Sequence, residues 1–262
     1  MNDRVGDWLE ASLRHRLWFS ATDDHASASL PFALCRRGDE VVARHVSCGV
    51  VDAREVRTFD LEIIVHEESD GVAVDGTSVT DLVDMVFVKD TAPNGTVIER
   101  WECALVRAGA ECERLAVTAE GIMSTLADLA LVPDQNVELE AFNRGFEVRA
   151  GDRRFASDLL DPRMVEFLVE QAAGCVVETV GNRILVARPA SEPPDLDALL
   201  RLAFGVAERV PNAVRSLYPP LPAGELTPRC PIDPAGSGRS VEPLAERAGA
   251  FDPWPDVPGG WA

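Results

Sequence analysis

Apolar periodicity runs from the N-terminal residues to Tyr218 and then stops, and this break constrains the chain more than any other feature. Ten of the 18 prolines fall in residues 219–262. A segment of that composition cannot bury enough apolar surface to offset the entropy of ordering it, so residues 219–262 are expected to form a Pro-rich disordered tail. The remaining 1–218 hold the material for one globular domain. Hydrophobic residues make up 46% of the chain, enough for a sizeable core.

Within 1–218 the pattern predicts strands in runs and hairpins with helices between them. Val5, Trp8, Leu9 and Leu13 recur at helical spacing over residues 3–16. Val41–Val51 reads as a strand, and Phe59–His66 alternates with a period of two. Pro93-Asn94-Gly95 between apolar runs is a hairpin signal, with the second strand over Thr96–Ala108. Thr118 is placed to cap a helix over 119–131. Phe142–Arg149 alternates as a strand. Residues 154–172 are helical with a restart at Asp161-Pro162, where Asp caps and Pro sits in the first turn. Gly181-Asn182 suits a two-residue turn pairing Cys175–Val180 with Arg183–Ala187. A last helix spans 195–216, broken or kinked at Pro211. Strands without strict β-α-β alternation predict an α+β fold: a largely antiparallel sheet of about six or seven strands with helices on one face.

Charge narrows the partners. Asp and Glu total 44 against 25 Lys and Arg, a net charge of −19. Nucleic acid binding needs basic residues that displace counterions, and an anionic leaflet repels such a surface. Nucleic acid and direct membrane insertion are therefore excluded as expectations. There is also no apolar run of about 18 residues, and no signal-peptide pattern at the N-terminus. A cytoplasmic location follows as the expectation, and with it six reduced cysteines, at 35, 48, 103, 112, 175 and 230.

Residues 138–189 carry a set of motifs: Phe142-Asn143-Arg144 with Phe146-x-Val148, Asp152-x-Arg154-x-Ala156, Leu160-x-Pro162-Arg163-Met164 and Phe167-Leu168. On these the chain resembles an actinobacterial family of uncharacterised proteins, with fainter likeness back to Trp101–Gly121 and Trp18. Many members of that family are membrane-anchored, with one or two hydrophobic segments ahead of this domain; this chain shows none. The resemblance implies a fold and a lineage and no reaction.

Candidate chemistry is sparse. Cys35, His45 and Cys48 are three potential zinc ligands, but a structural site takes four, and His45 and Cys48 fall on opposite faces of a strand. His66-Glu67-Glu68 opens like a zincin motif, yet Asp70 stands where the second His belongs. No Gly-x-Ser-x-Gly elbow and no phosphate-binding Gly loop appear, and Lys89 is the sole lysine. No cofactor is indicated. For a protein partner, the candidates are Arg144, Arg154 and Arg163 in the charged motif region, and the tail aromatics Phe251, Trp254 and Trp261. The charged region, with Asp152, Arg153, Asp158 and Asp161, equally reads as an ion-pair network joining strand to helix. The sequence thus points to a non-enzymatic interaction or regulatory module, the alternative being an enzyme or small-ligand binder with an unrecognised pocket.

Overall fold

The computed structural model describes residues 4–22, 30–38, 40–66, 89–91, 96–119 and 140–220. The expected helix over 119–131, the acidic stretch after His66, the Pro93-Asn94-Gly95 turn and nearly all of the tail, with Phe251, Trp254 and Trp261, lie outside them.

Helix α1 (Arg4–Arg14) leads into β1 (Trp18–Thr22), β2 (Glu40–Val51), β3 (Arg54–His66), β4 (Lys89–Thr91) and β5 (Thr96–Ala119). Then follow α2 (Glu140–Gly145), β6 (Phe146–Ala150), α3 (Arg153–Leu159), α4 (Pro162–Gln171), β7 (Val176–Pro189), α5 (Leu196–Arg209) and α6 (Asn212–Leu217). The fold is α+β. Seven antiparallel strands form one sheet, ordered β1-β2-β3-β5-β4, with β6 and β7 also paired to β5. The 24-residue β5 is its spine. Residues 101–106 of β5 pair with β3 on one side and β7 on the other, and residues 115–118 pair with β6 and β7.

Alternation sorts the core into two layers. On β5, Ala104 and Val106 face one cluster while Cys103 and Leu105 face the other; on β7, Ile184 and Val186 alternate with Leu185 and Ala187 in the same way. The first layer holds the helices, with Trp8 of α1, Phe155 of α3, Met164 and Leu168 of α4, and Leu199 and Ala203 of α5. The second lies under residues 30–36, whose Leu30, Phe32 and Leu34 pack on Phe59, Leu61, Ile63 and Trp101. Its anchor is Glu178. The fully buried carboxylate accepts from the amides of Ala33 (2.6 Å) and Leu34 (2.9 Å) and so holds the short 3₁₀ turn at Leu34–Arg36 against β7.

Three sequence expectations are corrected. Gly181-Asn182 is no hairpin turn. β7 runs straight through it along β5, and the register shifts there, opposite Gly109, whose amide donates to Asn182 Oδ1 at 2.7 Å. Gly181 (φ +57°) and Gly109 (φ +70°) form facing irregularities that bend two long strands together. The same positive-φ residues serve a turn or a bulge, and pairing with β5 decides. Thr118 does not open a helix at residue 119: it is buried inside β5, which runs on to Ala119, opposite Glu147 and Val176. Phe142-Asn143-Arg144 belongs to the short helix α2, and the strand begins only at Phe146, because Phe142 turns in to stack on Phe146 at 5.1 Å between ring centroids.

Candidate functional site

A groove of about 800 Å³ runs along α5. It is built by a helix that is apolar almost all round. Asp195 caps α5 by accepting from Ala198 N at 2.9 Å, and Leu196, Leu199, Leu200, Leu202, Ala203, Phe204, Gly205, Val206 and Ala207 are all buried. A helix buried on most of its circumference is covered by the sheet on one side and by α4 on another. Gly205 sets the approach of α4: a Cβ there would sit 2.2 Å from Phe167 Cζ, so only glycine admits the ring. Arg209 lies over that ring, 3.9 Å from its centroid, and donates to Gly205 O at 3.0 Å. Across the groove Arg54 stacks on Phe204 at 5.4 Å and pairs with Glu208 at 2.6 Å.

The N-terminal end of the groove is stiffened by a buried polar network. Arg188 donates to Glu102 Oε2 (2.5 and 2.8 Å) and to Asp195 O (2.9 Å). Glu102 Oε1 accepts from both Ser191 N (2.9 Å) and Ser191 Oγ (3.0 Å). Arg4 of α1 donates to both oxygens of Asp60 (2.7 and 2.8 Å) and to Ser191 O (2.7 Å). Burial pulls down the Arg4 guanidinium, but Asp60 and Glu102 outweigh it and hold it above its ordinary value. These charges are matched to one another, as buried charges must be.

What the groove can do follows from its lining. No histidine lines it, and its one thiol, Cys175, is pushed up to about 11 by burial, so it is no thiolate at neutral pH. The lining joins four arginines to apolar side chains, contacts suited to holding a molecule.

The sequence-singled residues lie elsewhere. Cys35 and Cys48 belong to the layer under residues 30–36, while His45 faces α1 between the rings of Trp8 and Phe19. His45 sits at a β-bulge with φ +50°, and its Nδ1 is 2.8 Å from Asp60 Oδ2. Cys48 is disulfide-bonded, a correction to the expectation of a reduced thiol, whereas Cys35, Cys103, Cys112 and Cys175 are free. Among the described residues no group of three metal-ligating side chains gathers. In the charged motif region, Asp152 and Asp161 cap α3 and α4 by accepting from Phe155 N and Met164 N, both at 2.9 Å. Arg154 and Arg163 point outward with side chains 77% and 71% exposed, and Arg144 is exposed too. Sequence reasoning named the α5 stripe as core but missed the groove. Its one legible trace was a glycine inside a strongly helical segment, which marks a close approach.

No protein-family model matches the chain, and no curated protein does either. Among solved structures it is similar to the mycobacterial trehalose monomycolate transport factor A, TtfA, with a TM-score of 0.54 and 14% identity, over 85% of this chain and 100% of that one. The fold is shared. No helix of the described residues is long and apolar enough to cross a membrane.

Proposed function

We propose that this chain is a non-enzymatic binding module that holds an acyl-chain lipid for a transport system, in the groove along α5. The groove itself carries the reading: about 800 Å³, within the roughly 300–1,000 Å³ typical of small-molecule sites, with Phe167, Leu202 and Phe204 among its lining. The likeness to a lipid transport factor supports it at the level of fold. Organic extraction of the natively purified full chain, followed by mass spectrometry, tests the reading. Acyl-bearing molecules in about equimolar amount are expected from the wild type and not from Ala198→Trp, which fills the groove from a partly exposed helical position. The same lipid background in both preparations contradicts it.

A protein partner at the face of α3 and α4 is the second reading, favoured by the exposure of Arg154 and Arg163 on consecutive helices. It predicts that Arg154→Glu with Arg163→Glu abolishes capture of that partner and leaves lipid content unchanged.

A further inference from the structure

We infer that the groove takes a single-chain anionic amphiphile, its acidic headgroup on Arg201 and its hydrocarbon against Phe167, Leu202 and Phe204. This rests on the lipid-binding reading above and adds the ligand's charge and its orientation.

The charge of the groove runs against that of the molecule. The chain carries −19, yet the groove is lined by Arg54, Arg188, Arg201 and Arg209 against Asp52 and Glu208. Two of the four guanidinium groups are already matched, Arg54 by Glu208 and Arg188 by Glu102. Arg209 is engaged with the Phe167 ring and with Gly205 O, in the last turn of α5, where a cation complements the negative end of the helix. Arg201 differs: it is exposed, in mid-helix, and makes no ion pair or hydrogen bond among the described residues. In a chain with so many carboxylates, a groove-lining guanidinium left without one is available to an external anion. Its planar fork suits a carboxylate or a phosphate, which it binds through two parallel hydrogen bonds. Leu202 and Phe204 on the same helix and Phe167 from α4 line the same groove. An unmatched cation and apolar side chains in one groove suit an amphiphile with an acidic head and a hydrocarbon chain.

Displacement of 11-(dansylamino)undecanoic acid from the full chain tests the assignment. The competitors are palmitoyl lysophosphatidic acid, which is anionic, and monopalmitoylglycerol, which carries the same chain without charge. The anionic competitor is expected to displace the probe at a concentration roughly tenfold lower or better, the gain of a charge-assisted hydrogen bond pair. Arg201→Gln weakens the probe and removes that difference, leaving the neutral competitor's own inhibition constant unchanged, while Arg201→Lys keeps most of the difference. Ala198→Trp loses both competitors together with the probe. Because Arg201 and Ala198 are not core positions, unchanged thermal melts confirm that each variant is folded. Equal displacement by the two lipids in the wild type, or undiminished discrimination in Arg201→Gln, overturns this inference. Either outcome leaves lipid binding standing. Failure of the probe and both lipids to bind overturns the lipid-binding reading as well.

Discussion

At the scale of single residues, the decisive groups are those whose surroundings change their chemistry. Glu178 is completely buried, and burial pushes its carboxyl from 4.5 up to about 7, opposed by the amides of Leu34 and Ala33 and by Arg114. The free thiols of Cys35 and Cys103 lie near enough to feel the same charge. Between pH 4.5 and 7 the folded chain holds a proton there that the unfolded chain has already released. Its contribution to stability is therefore present at the acid end of that window, is lost as pH rises through it, and is level above about 7. The full span corresponds to at most about 3 kcal/mol at 1.36 kcal/mol per unit. Glu178→Gln, which keeps one acceptor for the 3₁₀ turn, is expected to remove this slope. Urea melts of wild type and variant from pH 4.5 to 7.5 check it, and parallel curves would show that Glu178 does not titrate there. Neither its role nor that of Arg201 was legible in the sequence: a Glu in a strand and an Arg in a helix are ordinary until tertiary packing decides which is buried and which is left alone.

At the scale of elements, local chemistry carried most of the way. The Asp161-Pro162 start of α4, the period-two pattern of β3 and the break at Pro211 are all written in a few adjacent residues, and the structure has each of them. Asp161→Ala removes a side-chain acceptor from Met164 N and is expected to cost about 1 kcal/mol in a thermal or denaturant melt; a change within a few tenths would mean that the cap does not hold α4. The misreadings share one cause. Gly181-Asn182, Thr118 and Phe142 each satisfy a local rule for something else, and in each case a long-range partner overrides it: β5 at Gly181-Asn182, β6 and β7 at Thr118, and Phe146 together with the core at Phe142. Local signals do not announce a 24-residue strand that pairs with four others.

At the scale of the molecule, the sheet buries both faces, one under helices and the other under residues 30–36. Among the described residues, the seam where α4 and α5 meet the end of β7 has room for a ligand. The most direct measurement of the central claim is a backbone amide NMR titration of the full chain with palmitoyl lysophosphatidic acid below its micelle concentration. Saturable shift changes confined to α5 from Ala198 to Arg209, the end of α4 at Phe167 and Gln171, and Arg54 are the predicted result. Shifts absent at saturating lipid, or centred on Arg154 and Arg163 instead, would contradict it.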